Sequence, residues 1–222
     1  MTFSTLFETE QTGNRIDLLS HSGREWITEQ TTRWWESQGW QAVVWDNTGN
    51  VPAKGRNRII RDWKASDRDC LVMADDDITL YTHRYSTQTW LDSPITEGVY
   101  TLNSNHKMHY LRQNSTGWQG WQWLETQEQS QFYVIANRDI PLQDEQFSAL
   151  EDLDWAWQCW DLGIRTHLLQ TVFLREQSQD KASLIAQDRE TRRAVYAEAR
   201  KLLEAKWGTA KWSEFKKIAK IA

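Results

Sequence analysis

The sequence predicts an α/β domain, a sheet of parallel strands flanked by helices, with a helical segment after it. Three observations carry this expectation. Short apolar runs alternate with helical patterns through the first 77 residues, which is the order of a parallel sheet with crossover helices. The run Leu71-Val72-Met73-Ala74 ends directly in Asp75-Asp76-Asp77, so three carboxylates leave the carboxyl end of a buried strand. From Lys181 onward the chain is charged and helix-forming, with a break near Gly208.

Taken in order, Phe3–Phe7 alternates as a first strand ending at Glu8-Thr9-Glu10, and a polar loop containing Gly13-Asn14 follows. Arg24–Gln38 reads as a helix, with Trp26, Ile27, Trp34 and Trp35 at helical spacing and Gly39 just past its end. Gln41–Trp45 is a short apolar strand closed by the turn residues Asp46-Asn47-Thr48-Gly49. Lys54–Trp63 is helical, and the strand leading to the aspartates follows. In the less regular middle, Tyr110–Arg112 and Phe132–Ala136 read as strands, with a tryptophan-rich loop, Gly117–Trp123, between them. A helix begins near Glu151 and ends at Gly163; its first-turn carboxylates suit the helix dipole. Ile164–Leu174 is a further strand, and Trp207, Trp212, Phe215 and Ile218 share one face of the last stretch.

The composition narrows the class. A chain of 222 residues suits one domain with a small appendage, and it shows neither a membrane-length apolar run nor a secretory signal. Cys70 and Cys159 are too few for a disulfide framework or a zinc site, so a cytoplasmic location is expected. Fifteen tryptophans are too many to serve one ligand, and most must pack. From Lys181 to Ala222 there are 11 Lys and Arg against 5 Asp and Glu, leaving 15 against 26 in the first 180 residues. That basic tail is expected to meet an anionic partner: nucleic acid, a membrane surface or the acidic body itself.

Three adjacent like charges are tolerable in open water or around a cation, and Mg²⁺ and Mn²⁺ take carboxylate oxygens together with substrate phosphates. Ligands of parallel sheets sit outside the carboxyl ends of the strands, where both Asp46 and Asp75–Asp77 are expected. In the Gly117–Trp123 loop, the rings of Trp118 and Trp121 beside amide side chains suit stacking on sugars or bases, or a patch covering the core.

Asp46, then Gly55-Arg56-Asn57, then Ala74-Asp75-Asp76-Asp77, then Glu151-Asp152-Leu153-Asp154 together resemble the GT-A fold glycosyltransferases, in particular the large inverting group called family 2. The resemblance covers about 3–176. It implies a GT-A-like mixed, mainly parallel sheet with helices on both faces. Residues 1–180 would be the catalytic domain, with the nucleotide-sugar half about 1–80 and the acceptor half about 81–180, and 181–222 a basic helical appendage. It further implies Mn²⁺ or Mg²⁺ at Asp77 with Asp75, and nucleotide contacts from Thr9, Asp46, Arg56 and Asp75 or Asp76. Asp152 would be the catalytic base, and Glu151, with Trp118 and Trp121, would hold the acceptor.

The implied reaction moves a sugar from a nucleotide diphosphate sugar, UDP-glucose being the first candidate, to a hydroxyl with inversion; a glycan or glycoconjugate acceptor ranks ahead of modified nucleic acid. The first strand ends in Glu8-Thr9-Glu10 where the family has Pro-Thr-x-Asn, and the place of a third, histidine metal ligand reads Leu174-Arg175-Glu176, with His167 inside the same strand. His106 and His109 fall in the irregular middle. Two rival classes are a metal-dependent nucleotidyl or phosphoryl transferase and a non-catalytic carbohydrate-binding module.

Overall fold

A computed structural model describes residues 15–21, 25–81, 99–104, 123–125, 132–164, 166–176 and 189–213. The fold is α/β, a mixed sheet with helices on both faces and a helical C-terminal segment. Its first described strand, β1, is Arg15–Ser20, a stretch expected to be loop; Phe3–Phe7 lies outside the described residues. The missed strand has a physical reason. Asp17 interrupts its apolar run, yet that carboxylate is fully buried, paired with Arg15 at 2.6 Å and Arg68 at 2.8 Å, and accepts the Trp45 indole N–H at 2.8 Å. Part of its compensation, from Arg68 and Trp45, comes from residues distant in sequence, and the local Arg15-x-Asp17 pair by itself reads as polar.

Helix α1 (Glu25–Ser37) leads to β2 (Gln41–Asp46), and helix α2 (Pro52–Ala65) to β3 (Leu71–Asp75). β1 pairs in parallel with both β2 and β3. The first crossover therefore moves outward and the second moves back across β1, so right-handed connections put α1 and α2 on opposite faces. Strand alternation assigns the side chains. Leu71 and Met73 of β3 meet Ile59, Ile60 and Trp63 of α2, whereas Trp35 of α1 stacks on Phe132 on the other face, ring centroids 5.9 Å apart. The Trp35 indole also donates to the carbonyl of Ile78 at 2.9 Å. These tryptophans are core residues, as their number required.

Beyond β3 the sheet turns antiparallel through β7 (Phe132–Ile135) and β5 (Val99–Ser104). β5 runs parallel to β8 (Thr166–Glu176), and β8 also pairs with β6 (Trp123–Glu125) and β4 (Ile78–Tyr81). The turn Asp76-Asp77 carries the chain from β3 into β4, and Ile78 pairs with Glu176. The end of β8 therefore lies beside the acidic turn. Helix α3 (Glu151–Asp161) packs Trp155 and Cys159 onto the same face as α2 and ends at Gly163, whose φ of 76° allows the closing bonds from Gly163 to Trp160 and from Ile164 to Cys159. Helix α4 (Arg189–Trp207) stops at Gly208, and 209–213 is helical again. No helix among the described residues is long and apolar enough to cross a membrane.

The approach of α2 to the strand ends depends on Gly55. A Cβ there would lie 2.3 Å from Leu19 Cδ1 and 2.6 Å from Asn47 Oδ1. Gly55→Ala is therefore expected to destabilise by about 1–3 kcal/mol despite alanine's better helix propensity, read as a lower urea midpoint. An unchanged or higher midpoint would show that α2 moves away from β1 freely.

Candidate active site

Parallel pairing sets Ser20 beside Asp46, and Leu19 beside Asp75, so the three strands end along one edge. The three aspartates then separate. Asp75 lies on the α2 face, where its carboxylate accepts from Arg56 at 2.9 Å. Asp76 turns to the α1 face and is fully buried; its Oδ2 accepts the Thr28 hydroxyl at 2.6 Å and the His21 backbone N–H at 3.3 Å. It ties the turn to α1 rather than being presented at the edge. Asp77, 3% exposed, is the last residue before β4.

Arg56 joins the two acidic motifs. One arm of its guanidinium reaches Asp75, and the other reaches Glu151, the first residue of α3, at 2.7 Å. The group is buried, and its planar fork suits two carboxylates better than an ammonium would. Desolvation works against its charge, but Asp75 and Glu151 help to outweigh it and hold the pKa well above the ordinary arginine value. Neighbouring Asn57 fastens the chain leading to α3: its amide donates to the Gln143 carbonyl at 2.9 Å, and its carbonyl accepts the Gln143 N–H at 2.7 Å.

Glu151 and Asp152 are consecutive and so diverge around the helix. Glu151 turns inward to Arg56, while Asp152 is half-buried and accepts its neighbour Leu153's N–H at 2.8 Å. Burial raises the Glu151 pKa above the usual carboxylate value, Arg56 offsets this in part, and the Asp152 charge adds to it. The folded state thus holds this proton more tightly than the unfolded chain. The resulting stability is present below the ordinary glutamate value of 4.5 and is lost as pH rises through the raised folded value. Urea unfolding at several pH values is expected to show that loss in the native protein and a smaller one in Glu151→Gln. Equal slopes would place the Glu151 carboxyl in water.

Tyr133 of β7 was not singled out in the sequence. Its ring lies 5.6 Å from the Arg56 guanidinium and edge-on to Trp155, and its buried hydroxyl finds no hydrogen-bond partner among the described residues. Burial, with Asp152, Asp75 and Glu151 nearby, raises its pKa well above the ordinary phenol value, so it stays protonated as a donor. The only signal available was alternation, which puts Tyr133 on the same face as Met73, its partner in the register.

Asp46 is exposed at the end of β2, with Oδ1 accepting the Thr48 N–H at 2.8 Å; the Thr48 hydrogen bonds keep its pKa below the ordinary value. Thr9, expected beside it, lies outside the described residues, and Ser20 holds that register position. Trp118, Trp121, His106 and His109 also lie outside them. His167 pairs with Tyr100 and Glu125, nine residues along β8 from Glu176 or roughly 30 Å of extended strand, so it is removed from the acidic turn and does not stand in for the missing histidine. Among the described residues no group of three His, Cys, Asp or Glu side chains is placed to enclose a metal. Asp75 and Asp77 are nevertheless hard oxygen donors, which suit Mg²⁺ or Mn²⁺ bound through one or two carboxylates and completed by substrate phosphates.

Asp154 lies about one turn along α3 from Glu151 and is fully buried. It accepts the Trp207 indole N–H at 2.7 Å and the Lys206 ammonium at 3.0 Å. Lys206 also pairs with Asp144 at 2.8 Å, and Lys211 lies 3.4 Å from Asp161. These basic residues of the tail are thus directed to the acidic body.

No protein-family model matches the chain, and no curated protein matches it. Among solved structures it is similar to A197 from STIV, at 15% identity and a TM-score of 0.46 over 72% of this chain and 83% of that one. It is also similar to GalNAc-T7 with UDP, GalNAc and Mn²⁺, at 8% identity and a TM-score of 0.46 over 83% of this chain and 47% of that one. At these values neither likeness carries an activity to this chain.

Proposed function

We propose that the protein is a GT-A-like, metal-dependent glycosyltransferase that moves a sugar from a UDP-sugar to a hydroxyl acceptor with inversion. The observation that supports this best is the Arg56 bridge, which joins the acidic strand end to the start of α3 in one site. The edge carries several carboxylates around a single buried guanidinium, so a diphosphate approaches it favourably only with a divalent cation. In this reading Asp77, with Asp75, holds the cation, which neutralises the leaving diphosphate when bound.

The remaining roles follow from position and chemistry. Asp46, exposed at the end of β2, accepts hydrogen bonds from the nucleobase, and Asp75 rather than buried Asp76 reaches the ribose. Arg56 fixes Asp75 and Glu151 relative to each other and contributes positive charge beside the nucleotide. Asp152, half-exposed next to Glu151, takes the acceptor hydroxyl proton as that oxygen attacks the anomeric carbon. Glu151, held by Arg56, orients sugar hydroxyls, and the buried Tyr133 ring supports the Arg56 guanidinium. Trp118 and Trp121 remain candidates for stacking on the acceptor. A soluble glycan or glycoconjugate is the proposed acceptor, since the acidic body disfavours nucleic acid.

The test is turnover of UDP-sugars with Mn²⁺, with and without added saccharides. UDP release that stops with chelator and in Asp77→Ala supports the proposal. Pyrophosphate release from nucleoside triphosphates, with no UDP from UDP-sugars, would replace it with a nucleotidyl transferase.

A further inference from the structure

Helix α3 starts in a way that its own sequence does not secure. Leu150, its N-cap, has φ 60° and ψ 17° and is the one non-glycine residue with positive φ among the described residues. A leucine pays for that left-handed conformation in steric energy, and its side chain offers no cap to the helix N–H groups. Something else must hold the turn that aims Glu151 and Asp152.

The hold comes from α4. Phe147, Ala149 and Leu153, which flank Leu150, belong to a second core with Trp157, Ala199, Leu203 and Trp212, and Leu150 packs at its margin. Ala199 and Leu203 are residues of α4. Polar contacts add direction to this packing. The Asp154 amide donates to the Leu150 carbonyl at 3.0 Å, closing the first turn, while the carboxylate of the same residue takes Trp207 Nε1 at 2.7 Å and Lys206 Nζ at 3.0 Å. Lys206 reaches back to Asp144 at 2.8 Å, in the segment leading to the turn. Trp157 meets the Trp207 ring edge-on at 5.9 Å, and the Lys211 ammonium covers the Trp207 ring at 3.9 Å. One turn earlier on α3, Arg56 holds Glu151.

From this arrangement we propose that α4 is a positioning clamp for the active site: through Asp154, Lys206 and Trp207 it stabilises the left-handed turn at Leu150 and so sets the direction of Glu151 and Asp152. The catalytic consequence rests on the glycosyltransferase reading, whereas the mechanical one does not. The C-terminal segment is then a working part of the site, although it contributes no group to the chemistry.

Trp207→Phe removes the indole N–H while keeping a ring, and Lys206→Met removes the ammonium while keeping the stem. Amide hydrogen exchange in the full chain is the first readout. In either variant the Leu153 and Asp154 amides are expected to exchange about tenfold faster, the scale of one lost hydrogen bond to a charged group, while the amides of Ile59–Trp63 in α2 keep their protection. Leu150→Gly in the Trp207→Phe background is expected to restore part of that protection, because glycine adopts the left-handed turn without the steric cost.

The second readout is turnover: a kcat about tenfold lower with donor KM unchanged, as expected when the base is misaimed but the donor half is intact. Unchanged exchange at Leu153 and Asp154, or a uniform rise that includes α2, would overturn the clamp. Local loosening with kcat retained would overturn its catalytic role. Local loosening in a protein whose native form turns over no UDP-sugar would uphold the mechanical clamp and reject the glycosyltransferase reading instead.

Discussion

Replacing Arg56 with methionine is expected to lower stability by about 3–5 kcal/mol, the range for removing one partner of a buried ion pair. Arg56 is 4% exposed, and its loss leaves Asp75 and Glu151 facing each other with no cation between them. Methionine keeps much of the stem's volume, so most of the loss is electrostatic. The second variant Arg56→Met/Glu151→Gln should recover a substantial part of it, since one stranded charge is then gone. Urea unfolding of both measures the effect. A loss below about 1 kcal/mol, the range of exposed pairs, would mean that water reaches the bridge and that the site is not organised around Arg56.

Asp152→Asn is expected to reduce sugar transfer by about 10²–10⁴ while leaving the fold and donor affinity intact. The amide is close in size and its oxygen can still accept the Leu153 N–H, as Asp152 Oδ1 does at 2.8 Å, but it does not take a proton at neutral pH. Transfer kinetics beside UDP-sugar titrations separate the two properties. Transfer within a few-fold of the native protein would remove Asp152 from the mechanism, and collapse of donor binding would assign it to the donor half.

Much of the architecture was legible because local signals agreed. The apolar run Leu71–Ala74 forms β3, the carboxylates at Glu151 and Asp152 open α3, and Gly163 and Gly208, at φ 76° and 85°, end helices where the pattern placed them. β1 was not legible, because Asp17 reads as a break until Arg68, 51 residues away, supplies its charge. The site divides similarly. Its acidic residues stand out in the sequence, but the Arg56–Glu151 bridge spans 95 residues, and nothing local reports it.

Alternation along β3 does imply that Asp75 lies on the same face as Met73, and the turn that follows sends Asp76 to Thr28. The basic tail left three partners open. Lys206 and Lys211 settle on Asp144, Asp154 and Asp161, a choice that charge counting alone does not make.

The measurement that bears most directly on the central claim is thermal unfolding with a panel of nucleotides and UDP-sugars, each with Mn²⁺ and with chelator, in the native protein and in Asp77→Ala. At a hundredfold excess over Kd, a ligand confined to the folded state adds about 2.7 kcal/mol, or roughly 5–10 °C for a chain of this size. The metal-dependent donor site predicts that rise for UDP-sugars with Mn²⁺, its disappearance with chelator, and its loss in Asp77→Ala. A flat panel, or a rise that ignores both the chelator and the substitution, would contradict it.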